Sequence, residues 1–435
     1  MQRRFANHMA GETACRAWLE TTKQRGMSLG LKTTKLAMEK MDDNGHRPYT
    51  VHVAGSNGKG TLCATLTAAL SAVGSKSLMF SSPHLVRVEE RFRIEGVPVA
   101  PEVLNQALLE IQSIDITMDG VLTFFEITFL VAVHLARRER VEVLVLETGL
   151  GGRLDATRCA PADLAVVTSL ALEHTDVLGD SLEEIAHEKA AIARPGRPII
   201  VRRPDQASVK RRIEHTVKSA GLPLLGERSK PANLEWVDVP PQTSYAEEAV
   251  VLCRALWRHL PQGSEGSMPS INELHWPARM QTLPSPNPAS PSWILEGAHN
   301  RSGMERVASE LLEHPFVSEP WVLLFGSTPQ DSLRNMIDPL VRIMTVHPPL
   351  EVVVTEPQGG RYVGVPSEVW QEVFLPLVAC PVTCIPAPIE AVRHCQIAHD
   401  ANVTVLSIGS LYMQGNVLEA LEAATDEHLS VHAKA

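Results

Sequence analysis

Short runs of almost unbroken apolar residues punctuate the first half of the chain, over 50–55, 77–81, 141–147, 164–169 and 198–201. Runs of this kind suit strands buried on both faces of a parallel sheet. Between them apolar positions recur at helical spacing. One such stretch is 62–73; another is 128–137, where Leu130, Val131, Val133, His134 and Leu135 crowd one side. Strands alternating with helices predict an α/β fold with helices on both sheet faces. The pattern weakens after about residue 202. Residues 261–269 are rich in Gly, Ser and Pro, and 284–291 (PSPNPASP) can continue neither a helix nor a central strand. Alternation then resumes, with strands expected at 293–296, 321–325, 351–355, 382–385 and 403–408. The chain therefore reads as two α/β domains, the larger over 1–275 and the smaller over 285–435.

Composition narrows the class. Hydrophobic residues at 44% and charged residues at 21% describe an ordinary globular chain and exclude a disordered or collagen-like one. The net charge of -10 argues against a nucleic-acid partner, which needs clustered cations to neutralise phosphates. The basic run Lys210-Arg211-Arg212 reads as a solvated helix face. The seven cysteines are scattered and odd in number. Cys380 and Cys384 lie close together with no second pair to complete a metal site, so all seven read as reduced thiols. The opening MQRRFANHMAGETACRAW lacks the apolar core of a signal peptide, and no apolar run approaches the roughly 20 residues that span a bilayer. The expected location is the cytoplasm, with no membrane partner.

The sharpest chemical feature is Gly55-Ser56-Asn57-Gly58-Lys59-Gly60-Thr61, which follows a strand and opens a helix. Glycines let the backbone approach an anion, and the free N–H groups of a helix start favour phosphate. Lys59 would add a positive charge near the phosphates, and Thr61 a hydroxyl for Mg²⁺. The spacing departs from G-x-x-x-x-G-K-[ST], because Val53 replaces the first Gly and Gly60 separates Lys59 from Thr61. A plain glycine turn is the bland alternative. Ligands in open α/β sheets bind beyond the carboxyl ends of the strands. The second run ends at Ser81-Ser82-Pro83-His84, the third at Glu147 followed by TGLGGRLD, and the fourth runs into Glu173-His174-Thr175-Asp176. Ser82, Glu147 and His174 are thus expected to converge beside the phosphates, where oxygen donors suit Mg²⁺. His174 reads equally as a capping or core residue.

Lys189 falls on the apolar face of an expected helix over 182–193, four residues after Ile185 and three before Ile192. It reads either as a stem that packs while its amine reaches water, or as a lysine changed in charge, for instance by carbamylation. Thr123-Phe124-Phe125-Glu126 stands just before an apolar helix, where aromatics are core or a platform for a flat heteroaromatic ligand. In the second domain Glu296-Gly297-Ala298-His299-Asn300 and Gly409-Ser410-Leu411-Tyr412 follow strands and are candidate ligand contacts.

Together HVAGSNGKGT, SSPHLVRVEERFRIEG, LTFFE, LETGLGGRLDAT, EHTDVLGDSLEEIAHEKAAI, LEGAHN and GSLY, in that order, resemble the folylpolyglutamate synthase and dihydrofolate synthase family of the Mur ligase superfamily. SLGLKTTKLAMEKM also looks like the family's N-terminal helix. The resemblance covers nearly the whole chain except about 203–275. It implies a P-loop mononucleotide-binding parallel-sheet domain followed by a smaller Rossmann-like α/β domain. It also implies a reaction in which ATP phosphorylates a folate carboxylate and the amine of L-glutamate displaces phosphate to form an amide. By the same resemblance Asn57, Gly58, Lys59, Gly60 and Thr61 look like the ATP phosphate site, joined from the second domain by Arg279, Glu296, His299 and Asn300. Thr61, Ser82, Glu147 and His174 look like ligands of Mg²⁺. Lys189 resembles the family's carbamylated lysine, and Lys59, Glu147, His174 and Lys189 its catalytic set. Thr123, Phe124, Phe125, Arg153, Leu154 and Asp155 resemble the pterin pocket. The implied partners are ATP, L-glutamate and a reduced folate or dihydropteroate; a monomer is the default expectation.

The sequence departs from the family pattern in three places. Glu296 replaces Asp, Arg158 replaces Asn, and Gln242-Thr243-Ser244-Tyr245 replaces Gln-x-x-Asn. Another Mur-type amino-acid ligase and a non-catalytic nucleotide-binding relative stay open as alternatives. So does the choice between adding the first glutamate, extending a chain, or both.

Overall fold

The computed structural model describes residues 14–26, 30–41, 45–220, 230–240, 243–264, 266–285, 287–330, 332–360 and 362–433. Residues 1–13, the first two of SLGLKTTKLAMEKM, Gln242, and single positions of the two breaker stretches lie outside them.

Eight strands build the first sheet: β1 (Tyr49–Ala54), β2 (Ser77–Phe80), β3 (Phe92–Ile94), β4 (Val97–Pro98), β5 (Val143–Glu147), β6 (Leu164–Val167), β7 (Pro198–Arg202) and β8 (Asn233–Val237). They lie in the order β4-β3-β2-β5-β1-β6-β7-β8. The six strands from β2 to β8 run parallel, and β3 and β4 form an antiparallel hairpin at the edge. After β9 (Leu274–His275) the second sheet is made of β10 (Gln281–Leu283), β11 (Ser292–Glu296), β12 (Trp321–Phe325), β13 (Glu351–Val354), β14 (Val382–Cys384) and β15 (Thr404–Ile408). Its order is β10-β11-β15-β12-β13-β14, parallel except for the edge strand β10. The chain closes with β16 (His432–Ala433), which returns to pair with β9.

The apolar runs mark the central strands because those strands are covered on both faces. Val51, Val53, Val145 and Val166 pack with Leu62 and Leu66 of the helix Lys59–Ala72, while Leu144 and Leu146 face Leu130 of the helix Phe124–Arg138. The helix Lys59–Ala72 is buried nearly all round, which fits its lack of a polar face. What covers its outer side is the helix Tyr245–Trp257, through Leu252, Leu256 and Trp257.

Two expectations change. The helix expected over 128–137 starts four residues earlier, so Phe124, Phe125 and Glu126 form its first turn. Thr123 and Glu126 make a reciprocal capping box that fixes this start. The helix carrying Lys189 ends at Ala190 instead of reaching residue 193. Region 203–275, where periodicity fades, holds the helix Ala207–Ala220, strand β8 and the helix Tyr245–Trp257. Of the basic run only Arg211 is exposed; Lys210 and Arg212 are half-buried, and Lys210 Nζ lies 5.8 Å from the Trp236 ring centre, so the run is not a purely solvated face.

Candidate functional site

The loop after β1 is moored to the end of β6. Ser56 N–H donates to the Ser169 carbonyl (2.8 Å), and the Thr168 and Ser169 hydroxyls donate to the Asn57 carbonyl (2.7 and 3.1 Å). Gly55 has a φ of +150°, and a Cβ there would sit 1.8 Å from Thr168 Oγ1, so this approach demands glycine. Gly58 (φ +82°) turns the chain into the helix Lys59–Ala72, whose start carries no side-chain cap among the described residues. Fourteen residues of helix thus present uncapped N–H groups at the loop, the arrangement that favours an anion. Lys59 Nζ folds back onto the carbonyls of Gly55 (2.9 Å) and Ser56 (3.3 Å). Thr61 is buried one turn in.

Glu147, at the end of the neighbouring strand β5, is 6% exposed and accepts the amide N–H of Ser82 (3.2 Å). Its carboxylate oxygens lie 3.6 and 3.7 Å from the Cβ position of Gly60. Burial raises its pKa, against the pull of Lys59, the Ser82 N–H, Arg279 and Arg91. The structure therefore brings Lys59, Gly60, Ser82 and Glu147 together. His174 is exposed, at a left-handed N-cap position (φ 47°) of the short helix Thr175–Leu178. Among the described residues its ring makes no hydrogen bond; it acts electrostatically on Glu173 beside it.

Lys189 corrects one reading. Its amine does not reach water: the residue is 1% exposed, and Nζ donates to Gly55 O (2.9 Å) and Glu173 Oε1 (2.8 Å). Burial lowers its pKa, against the pull of Glu173. For Glu173 burial alone would raise the pKa, but Lys189 and Lys59 together outweigh it and hold the carboxyl at about 2. The pair ties the helix Leu182–Ala190 to the phosphate loop.

Beside Ser82 opens a cavity of about 520 Å³, lined by Thr123, Phe124, Phe125, Leu154 and Asp155 among the expected residues. Gly149 runs so close to Phe125 that a Cβ would meet the ring at 2.5 Å. Asp155 is a wall builder. Oδ1 accepts from Thr157 N (3.0 Å) and Oγ1 (2.5 Å), and Oδ2 from Gly149 N (3.1 Å) and Leu150 N (2.9 Å). Those four bonds fill the acceptor positions of a carboxylate. Arg153 is not among the lining residues; it is exposed and pairs with Glu188 (2.7 Å). Arg158 is likewise turned away, onto the carbonyls of Ala191 and Ala193.

The cavity also uses Lys23, His84, Arg91 and Tyr412, which the sequence reading left without a role in it. Arg91 Nε donates to His84 Nδ1 (2.9 Å), and its guanidinium lies 5.1 Å from the Phe124 ring centre, with Lys23 Nζ 5.2 Å from the same centre. Burial, with Arg91 and Lys23 nearby, pushes the His84 pKa down to about 3, so the ring is neutral. His84 and Tyr412 fall inside strand-end segments that the sequence singles out. Lys23 had no such signal, because it comes from a turn far from any strand.

The second sheet meets the first at the phosphate loop. Asn300 Nδ2 donates to Asn57 Oδ1 (3.2 Å) and Asn57 Nδ2 to Ser302 Oγ (3.4 Å). Asn300 also caps the helix Arg301–Glu313, accepting from Gly303 N (2.7 Å). Buried Glu296 accepts from Met280 N (3.0 Å) and Ala298 N (2.8 Å), and His299 Nδ1 bonds the carbonyl of Gly297 (2.8 Å). Arg279 lies near enough to act on both Glu147 and Glu296.

No protein-family model matches the chain. It is 43% identical over 192 residues to dihydrofolate synthase/folylpolyglutamate synthase of Escherichia coli (strain K12), a match covering 44% of this chain and 45% of that protein. The chain thus spans just under half of that relative's length in the match. E. coli FolC in complex with DHPP and ADP superposes with a TM-score of 0.76 at 27% identity, covering 94% of this chain and 98% of that one. A bifunctional folylpolyglutamate synthase/dihydrofolate synthase with Mn, AMPPNP and L-glutamate bound gives 0.74 at 26% identity, with the same coverage. Fold, motif order and these likenesses agree: over nearly its whole length the chain is similar in fold to dihydrofolate synthase/folylpolyglutamate synthases, and over just under half of it closely similar in sequence.

Proposed function

We propose that this chain is an ATP-dependent ligase that joins L-glutamate to a folate carboxylate through an acyl phosphate. The observation that carries the reading is the position of Ser82. It lines the aromatic-walled cavity and its amide holds the buried carboxylate of Glu147, which faces the start of the phosphate-loop helix. A flat acceptor stacked against Phe124 would thus have its carboxylate end directed toward bound phosphates.

The residues present fit a divalent cation. Glu147 is buried with its charge under-compensated, and the hydroxyls of Ser82 and Thr61 complete a set of oxygen donors suited to Mg²⁺. His174 is the further ligand we assign. When bound, the metal offsets charge on the transferred phosphoryl group. Asn57, Gly58, Lys59, Gly60 and Thr61 would cradle the phosphates, with Arg279, Glu296, His299 and Asn300 on the facing side. Lys59 supplies positive charge where negative charge builds up. Carbamylation of Lys189 would exchange its ion pair with Glu173 for a carboxylate beside the phosphate loop, with Glu173 turned aside, and burial favours the neutral amine that such a reaction needs. Enclosure between the two sheets would shield an acyl phosphate from water.

We assign the two domains to 1–275 and 285–435, although the second sheet already begins at β10 (Gln281–Leu283), just ahead of the second of these bounds. Among the described residues no helix is long and apolar enough to cross a membrane, and each of the seven cysteines is a free thiol. A monomer in the cytoplasm, taking ATP, glutamate and a pterin acceptor as its small-molecule partners, suits both facts.

The test is product identity. Incubation with Mg-ATP, glutamate and either dihydropteroate or tetrahydrofolate should yield, by mass spectrometry, an acceptor extended by at least one glutamyl residue. The acceptor that is extended assigns the step. No extension of either one, from protein that still binds ATP, would move the assignment to another carboxylate or to a non-catalytic relative.

A further inference from the structure

The segment 426–433 is anchored in two cores at once. Leu429 is buried in the second sheet's core with Val417 and Leu418, whereas Val431 is buried in the first sheet's core with Leu62 and Leu66. Beyond it β16 pairs antiparallel with β9, the strand that leads the chain from the first sheet to the second. The outward and return crossings therefore run side by side as one two-stranded ribbon, and the His275 and His432 rings stack across it at 4.7 Å.

The hairpin β3–β4 receives this ribbon. Val431 N–H donates to the Gly96 carbonyl (2.8 Å). Gly96 has a φ of +85°, and a Cβ on it would stand 2.1 Å from the Val431 carbonyl oxygen. Arg93, 2% exposed on β3, donates Nε and Nη2 to the Leu429 carbonyl (3.1 and 2.9 Å). Its Nη1 donates to Ser81 Oγ (3.1 Å) and to the Glu90 carbonyl, and its guanidinium lies 5.0 Å from the Trp276 ring centre. Ser81 directly precedes Ser82, the residue that holds Glu147. Arg93, Trp276, Glu147 and Arg279 line one narrow cleft between the sheets.

We propose that Arg93 is a positioning residue that seats the second sheet on the phosphate-binding end of the first. A guanidinium offers five N–H donors in a rigid fork, so one side chain can bind two partners in fixed relation. Here one partner is the strand end carrying Ser81 and the other is the Leu429 carbonyl. With both crossings in one ribbon, the second sheet moves by rotating about it, since sliding would break the β9–β16 pairing. Arg93 fixes where that rotation rests, and so where Tyr412 and Arg279 stand relative to Phe124 and Glu147. The effect on rate rests on the ligase reading; the effect on seating does not.

Two variants loosen the contact from different sides. Arg93→Gln removes the fork, and Gly96→Ala displaces Val431 without altering a side chain of the proposed active site. Each should raise hydrogen exchange in 426–433 and broaden the size distribution in small-angle scattering. Each should lower kcat for phosphate release on the order of ten-fold or more, the effect of reacting groups misplaced by a fraction of an ångström. MgADP affinity by calorimetry should fall by much less than kcat, because the loop after β1 keeps its own contacts, and Arg93→Lys, which keeps the charge and loses the fork, should not restore kcat. Faster exchange in 426–433 with unchanged kcat would overturn the proposal. So would parallel loss of kcat, MgADP affinity and cooperative melting, which would mean a merely structural arginine. A wild-type protein inactive on every acceptor would sink the ligase reading alone, and exchange and scattering would still decide the seating.

Discussion

Two strand–loop–helix turns face each other in this molecule, and they spend their polar groups differently. After β11, Glu296 is satisfied by the N–H groups of Met280 and Ala298, His299 by its own loop, and Asn300 by the helix it caps. After β1, the helix start has no side-chain cap among the described residues, and Glu147, at the end of the neighbouring β5, is buried and accepts the Ser82 N–H. Burial raises the pKa of both Glu296 and Glu147, so the contrast lies in hydrogen bonds: a turn that bonds to itself on one side, and an open helix start with a sparsely bonded carboxylate on the other. Chemistry belongs to the side whose charges await a partner.

Lys59→Ala should hit hardest. Loss of one preorganised charge at a phosphoryl site costs roughly 100-fold or more in kcat/KM, with the melting temperature nearly unchanged. Active Lys59→Ala enzyme would erase the contrast between the two turns. Glu147→Gln keeps the shape and removes the charge. Its activation by Mg²⁺ should shift to concentrations higher by about ten-fold or more, measured as phosphate release against metal concentration. An unchanged metal curve would remove Glu147 from the cation site.

Glu173→Gln tests how the first turn is held. Breaking a buried pair costs about 3 kcal/mol, here by leaving Lys189 unpaired. Glu173 has a folded pKa depressed to about 2 from 4.5. Its contribution is therefore full above the unfolded value and lost as pH falls toward about 2. The wild-type advantage in melting temperature should shrink across that window, and an advantage independent of acid pH would contradict the pairing. Phe124→Ala should raise the KM for the pterin acceptor by about ten-fold, the scale of one lost stacking platform, with kcat largely kept. Asn300→Ala should be mildest, costing about 1 kcal/mol of helix cap and raising the KM for ATP modestly while leaving kcat close to wild type. A large kcat loss there would mean the second turn is more than a brace.

The central strands and the phosphate loop were legible because burial on both faces leaves an unbroken apolar run, and because glycines mark backbone that must approach an anion. Region 203–275 was not, although its helix Tyr245–Trp257 closes the core over Leu62 and Leu66. That helix packs one face only, and β8 is partly exposed along its length, so neither leaves a continuous apolar signature. Within the site, Ser82, Glu147 and the Phe124–Phe125 pair could be read from strand ends and from their place at the start of an apolar helix. Lys23 and the spent acceptors of Asp155 depend on tertiary contacts that no local pattern encodes. The snorkelling alternative for Lys189 failed because Glu173, sixteen residues earlier, supplies a buried partner.

Phosphate release under Mg-ATP tests the central claim most directly, with glutamate and a pterin acceptor supplied singly and together. The account predicts rapid release only when both are present with the metal. Release that ignores the pterin, or that is equally fast with acceptor omitted, would contradict it.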